Sequence, residues 1–118
     1  MKKTIVVADD LPSVTEALKR MLQSHYDVIQ AHSGSEVRDI CESQSIGGVI
    51  IDMRFDNAGM SGIDTVKLLR NDFPDLKIIL FSAGEYSAEE RAKVSEAGAT
   101  FMSKPIDFAS VRKVFDPQ

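Results

Sequence analysis

Short, nearly continuous apolar runs alternate along the chain with stretches in which apolar side chains recur every three or four residues. Ile5-Val6-Val7-Ala8, Val49-Ile50-Ile51, Ile78-Ile79-Leu80-Phe81 and Thr100-Phe101-Met102-Ser103 are the principal runs, and each reads as a strand. Between the first and second strands, Val14, Ala17, Leu18, Met21 and Leu22 fall at i, i+3, i+4, i+7 and i+8, with Pro12 near the first turn. That spacing predicts an amphipathic helix over Pro12 to Gln23. Asp27 to Ala31 reads as a short second strand. Ser35 can cap a helix carrying Val37, Ile40 and Cys41, and Gly47-Gly48 breaks the chain before the very apolar third strand. Gly62 to Asn71 predicts a helix through Ile63, Val66, Leu69 and Arg70, ended by Pro74. Ser87-Ala88-Glu89-Glu90 is a capping box that opens a helix closed by Gly98, and a short last helix runs from about Asp107 to Phe115.

The order is βαβαβαβαβα, with strands near 4 to 9, 27 to 31, 48 to 52, 77 to 82 and 100 to 103. Strands alternating with helices predict a parallel sheet covered on both faces, centred on strands one, three and four. The expected class is α/β, a flavodoxin-like (βα)5 three-layer sandwich with strand order 2-1-3-4-5. Its switch point lies between strands one and three. With no repeat, low-complexity stretch or linker, residues 1–118 read as one domain, and Phe55 to Gly62 is the longest expected loop.

A formal net charge of −4 argues against direct nucleic-acid binding, which needs clustered Lys and Arg. The single cysteine, Cys41, cannot form an internal disulfide and belongs to a helical apolar series, so it is expected in the core of a protein of the reducing cytoplasm. The apolar run after Lys2-Lys3 stops at Asp9, too soon for a signal peptide. Nothing approaches a membrane-spanning length, so no membrane association is expected.

The polar residues that end the apolar runs are Asp9-Asp10, Asp52, Ser82 and Lys104-Pro105. Parallel strands all point one way, so these residues are expected to gather at one sheet edge, where open α/β folds place ligands. Carboxylates held together repel one another, and a hard divalent ion such as Mg²⁺ relieves that cost. Asp9, Asp10 and Asp52 therefore read as a Mg²⁺ site. A carboxylate beside a metal can accept a phosphoryl group, and Ser82 and Lys104 supply a hydroxyl and a positive charge for its oxygens.

At these positions the chain resembles, over essentially its whole length, the receiver domain of bacterial two-component response regulators. The resemblance is carried by Asp9-Asp10, Asp52, Ser82-Ala83, Phe101 three residues before the lysine, and Lys104-Pro105, with Gly34, Gly62 and Gly98 in family-like places. It implies that Asp52 is the phosphoacceptor and that Asp9, Asp10 and Asp52, with the Arg54 main-chain carbonyl, hold Mg²⁺. It implies that Ser82, Ala83 and Lys104 bind the phosphoryl oxygens, that Ser82 and Phe101 form a switch, and that Pro105 follows a cis peptide bond. The implied partners are a sensor histidine kinase or phosphotransfer protein and an output domain or target protein, with a homodimer on phosphorylation among the expected assemblies. The chain departs from the family pattern between Asp52 and Gly62, which carries about two extra residues and no proline; Arg54 and Gly84 stand where the family tunes phosphoryl lifetime; and Phe101 stands where many members have tyrosine.

Taken singly, Asp9 or Asp10 would read as a helix cap, Asp52 and Arg54 as loop charges, and Phe101 as half-buried packing. His25 and His32 lie away from the cluster in sequence and are expected at the surface. A haloacid-dehalogenase-type phosphatase also places aspartate after an apolar strand, but Arg54 stands where its general acid belongs. A receiver serving only as a phosphorylation-independent interaction module would be favoured by a broken acidic cluster. The first βα turn, Asp9-Asp10-Leu11-Pro12, lacks the glycines and hydroxyls of a cofactor phosphate loop. The expected activity is thus a phosphorylation switch rather than turnover of external substrates.

Overall fold

Apolar runs and amphipathic stretches become strands and helices in strict alternation in a computed structural model that describes residues 2–53, 61–82 and 87–117. The order is β1 (Lys3–Ala8), α1 (Pro12–Leu22), β2 (Tyr26–Ala31), α2 (Gly34–Ser43), β3 (Gly48–Asp52), α3 (Gly62–Asp72), β4 (Lys77–Ser82), α4 (Ala88–Glu96), β5 (Thr100–Ser103) and α5 (Phe108–Phe115). All strand pairs are parallel, in the order β2-β1-β3-β4-β5. This is the predicted three-layer α/β architecture, and the reversal of strand order falls between β1 and β3.

Alternation along each strand divides the core between the two faces of the sheet. Val6, Ala8, Val49, Ile51, Ile78 and Leu80 pack on one face with Val37 and Cys41 of α2, Val66 and Leu69 of α3, and Val94 of α4. Ile5, Val7, Ile50, Ile79 and Phe81 pack on the other with Leu18 and Leu22 of α1 and Val111 and Phe115 of α5. Coverage on both sides explains why β3 is buried throughout and why its sequence shows no polar alternation. Cys41 is in the core as expected, and burial pushes its thiol up to about 11.

Local chemistry sets the helix ends. Pro12 opens α1 after Leu11, which caps it without a side-chain bond. Ser87 and Glu90 form the predicted capping box of α4, and Gly98 beyond its end adopts φ +91°, the left-handed conformation that favours glycine. The cap of α2 corrects the sequence reading. Ser33, not Ser35, accepts the N–H of Glu36, because the helix starts at Gly34 and Ser35 already lies in its first turn. A second capping box, Ser61 with Asp64, opens α3. β2 begins one residue early, at Tyr26, whose ring is buried against Phe115 and whose hydroxyl donates to Asp116 Oδ2 at 2.6 Å. His25 is exposed as expected, but His32 is half-buried, with Nε2 3.3 Å from the Thr15 hydroxyl. Among the described residues no helix is long and apolar enough to cross a membrane.

Candidate functional site

The carboxyl ends of β1, β3, β4 and β5 meet at the switch point, and the chain places a polar side chain at each. Asp9 follows β1 directly and is fully buried. Its N–H donates to the Ala31 carbonyl at 3.2 Å, holding it against the end of β2, and its Oδ1 accepts the Leu11 N–H at 3.0 Å. Asp52 is the last residue of β3, in register with Phe81, and only 8% exposed. The N–H of Met53 donates to the Phe81 carbonyl at 2.8 Å, so the ladder continues one residue past Asp52.

Ser82 ends β4 and is buried, while Lys104 follows β5. The main-chain N–H of Lys104 donates to the Ser82 carbonyl at 2.8 Å, which ties these two strand ends together. The Lys104 ammonium lies 4.8 Å from the centroid of the Phe81 ring and 3.9 Å from Asp9 Oδ2. The Lys104–Pro105 peptide bond is cis.

Asp9, half-buried Asp10 and Asp52 each offer a carboxylate oxygen, and these oxygens lie within 4.8 Å of one another. Burial pushes the Asp9 carboxyl up to about 7. The Leu11 N–H opposes that rise, and the neighbouring Asp10 and Asp52 carboxyls add to it. Lys104, at the outer limit of an ion pair, does not reverse it. Asp9 Oδ2 is buried without a hydrogen-bond partner. An unsatisfied buried acceptor among clustered acids is the environment that a hard, oxygen-seeking divalent cation would stabilise, so the donor set fits such an ion.

The fold thus gathers Asp9, Asp10 and Asp52 into one acidic cluster, with Lys104 beside it and Ser82 on the adjoining strand end. Arg54, Ala83 and Gly84 lie outside the described residues, as do residues 55–60 of the loop expected from Phe55 to Gly62, whose last two residues, Ser61 and Gly62, cap and open α3. Phe101, half-buried on β5, packs against the core cluster that contains Val94. Two features of the site were not read from the sequence. Gly62 lies directly under the end of β3, where an added Cβ would sit 2.4 Å from the Asp52 carbonyl oxygen. Arg91 of α4 stacks its guanidinium over Phe101, 5.0 Å from the ring centroid. The first could be sought from a glycine opening a helix soon after Asp52. The second has no local signal, since only the packing of α4 on β5 joins the two residues.

A family profile described as the response regulator receiver domain matches residues 5–116. Among curated relatives, the CAI-1 autoinducer sensor kinase/phosphatase CqsS of Vibrio cholerae is 34% identical over 111 residues, 90% of this chain and 16% of that protein. Response regulator GtcR of Aneurinibacillus migulanus is 29% identical over 91% of this chain and 43% of its own length. The chain therefore spans less than half the length of these relatives. Among solved structures, a response regulator receiver protein from Pseudomonas putida aligns over 100% of this chain and 98% of its own, with a TM-score of 0.87 and 29% identity. The Vibrio cholerae chemotaxis protein CheY4, 22% identical with a TM-score of 0.86 over 97% of this chain and 99% of its own, shares the fold. With the acidic cluster at the switch point and the profile match over nearly the whole chain, the protein belongs to the response regulator receiver domain family.

Proposed function

We propose that Asp52 accepts a phosphoryl group from the phosphohistidine of a sensor kinase or phosphotransfer protein, and that the modification switches the surface formed by β4, α4 and β5. The observation that carries this reading is the convergence of the Asp9, Asp10 and Asp52 oxygens within 4.8 Å, with the Lys104 ammonium 3.9 Å from Asp9. An Asp52 carboxylate oxygen forms a bond to phosphorus as the phosphorus–nitrogen bond breaks, and the imidazole nitrogen leaves with the electron pair. Lys104 and the Ser82 hydroxyl then bind the phosphoryl oxygens, joined by the main chain at Ala83. Asp9, Asp10 and Asp52, with the Arg54 carbonyl, would hold Mg²⁺, which when bound supplies positive charge to the transferring phosphoryl group.

Beside Lys104 a groove of about 500 Å³ opens between α1 and the turn after β5, lined by Val14, Ala17, Met21, Pro105 and Ile106. Its apolar walls offer the donor protein a surface next to the acceptor. The switch reports to an output domain or partner protein of the cytoplasm, and a phosphorylation-induced homodimer is one form that output takes. Residues 1–118 act as one receiver unit that promotes its own phosphorylation and dephosphorylation without turning over external substrates. Family membership, with Arg54 in place of a general acid, sets aside the haloacid-dehalogenase alternative. The intact acidic cluster favours a phosphorylated receiver over a phosphorylation-independent module.

Incubation with Mg²⁺ and acetyl phosphate tests the assignment. Mass spectrometry is expected to find one phosphoryl group, on Asp52, and none in Asp52→Asn. Equal labelling of the variant would remove Asp52 from the role.

A further inference from the structure

Arg91 stands three residues before Val94, the fully buried anchor of α4, so both side chains fall toward one side of the helix and border β5. Its guanidinium lies 5.0 Å from the centroid of the Phe101 ring, inside the range of a cation–π contact. Phe101 is half-buried, and the guanidinium covers its ring. Arg91 has no ion-pair partner among the described residues, so no carboxylate there competes with the ring for its charge.

We propose that Arg91 is a positioning residue that latches Phe101 in the conformation seen here and thereby sets how readily the domain responds to a phosphoryl group on Asp52. The inference rests on the function proposed above, in which modification of Asp52 switches the surface of β4, α4 and β5, and adds that the Phe101 ring turns away from Arg91 in that switch. The contact exists only while the ring lies against Arg91, so it weights the unmodified state and must be given up on switching. An exposed cation–π contact corresponds to about a two- to fivefold bias in a two-state equilibrium, enough to alter a response without abolishing it.

The test is a beryllofluoride titration in the presence of Mg²⁺, followed through the amide signals of Ser82 and α4. Parent protein is compared with Arg91→Lys, Arg91→Met, Phe101→Leu and the Phe101→Leu/Arg91→Met double variant. Arg91→Met, which keeps the aliphatic stem and loses the charge, is expected to raise the apparent affinity about two- to fivefold. Arg91→Lys, which keeps the cation, is expected to stay within about twofold of the parent. In the Phe101→Leu background, removing the Arg91 charge is expected to change nothing further. An Arg91→Met titration identical to the parent's overturns the latch, as does an unchanged Arg91→Met effect when the ring is absent. Asp52→Asn separates the two readings: if it responds like the parent, the phosphoacceptor assignment fails, whereas a silent Asp52→Asn confines any failure to the role of Arg91.

Discussion

A Cβ at Gly62 would lie 2.4 Å from the Asp52 carbonyl oxygen and 2.9 Å from the Met53 Cα, so the first residue of α3 is pressed against the main chain that carries the candidate phosphoacceptor. Neither contacted atom belongs to a flexible side chain, and a methyl group there must move the strand end itself. Gly62→Ala is therefore expected to lower stability by about 1–3 kcal/mol and to slow labelling of Asp52 by acetyl phosphate. Gly98→Ala is the control. Its conflicts are the φ of +91° and the Nε of the Arg70 side chain at 2.6 Å, far from the acidic cluster. That variant is expected to lose about 1–2 kcal/mol and to label at the parental rate. Urea unfolding and labelling kinetics measure both, and equal labelling rates in the two variants would deny Gly62 a role in placing Asp52.

The buried acid cluster predicts an unusual pH dependence. Asp9 is pushed up from an ordinary 3.8 to about 7 without a cation, so between these values the folded chain binds a proton that the unfolded chain has released. Stability is then expected to fall as pH rises from about 4 to about 7, the opposite of a carboxylate held down by a salt bridge. Mg²⁺ should flatten this slope, because a bound cation favours the ionised form. Asp9→Asn removes the titrating group and is expected to raise stability at pH 7.5 by on the order of 1–3 kcal/mol while weakening the Mg²⁺ response. Chemical denaturation across the pH range, with and without Mg²⁺, measures these effects. A parent slope that Asp9→Asn leaves unchanged would assign the pH dependence elsewhere.

At the opposite edge of the sheet, Asp116 fixes the end of α5 with both carboxylate oxygens. Oδ1 accepts Lys3 Nζ at 2.9 Å, and Oδ2 accepts the Tyr26 hydroxyl at 2.6 Å. The Tyr26 hydrogen bond, followed by that of Lys3, holds the Asp116 carboxyl below its usual value, while burial and the Asp116 contact push Tyr26 up to about 12. The stabilisation is present above the unfolded carboxylate value and is lost as pH falls through the lower folded one. Asp116 is about one-third exposed, at 33% for its side chain, so screening reduces the effect. Asp116→Asn is expected to cost about 1 kcal/mol at pH 7 and progressively less in acid. Urea midpoints at pH 7 and pH 3 measure the difference, and a loss that grows on acidification would contradict the assignment.

The sequence exposed the sheet and most of the site because both follow from short-range rules. A strand buried on both faces must be apolar throughout, as Val49-Ile50-Ile51 is, and parallel strands carry the residues after them to one edge. Hence the placement of Asp9, Asp10, Asp52, Ser82 and Lys104 at one sheet edge is legible in the sequence alone. Ser33 and Ser35 flank Gly34 with equal capping chemistry, and the choice depends on where β2 ends, which propensity does not determine. Tyr26 begins β2 because its ring fills the space beside Phe115, a contact 89 positions distant in sequence. His32 is drawn inward by Thr15 of α1, and Arg91 meets Phe101 only through helix-on-strand packing. Such contacts depend on tertiary placement and leave no periodic trace.

Ser82 and Lys104 end β4 and follow β5, and the hydrogen bond from the Lys104 N–H to the Ser82 carbonyl at 2.8 Å makes the two strand ends one mechanical unit. A dianion on Asp52 adds charge that the Ser82 hydroxyl and Lys104 ammonium can contact, and a ligand shifts an equilibrium only through contacts that differ between its states. Beryllofluoride is therefore expected to change amide signals from Ser82 through α4 and on to Phe101. In Ser82→Ala and Lys104→Ala the hydroxyl or ammonium is gone while the main-chain bond remains, so the changes should shrink to the surroundings of Asp52. The aligned acidic cluster is intact in both variants, and Mg²⁺ should still raise their melting temperatures by mass action. Two-dimensional amide spectra of the three proteins decide the matter. Long-range changes of parental size in both variants would show that the signal leaves Asp52 by another route.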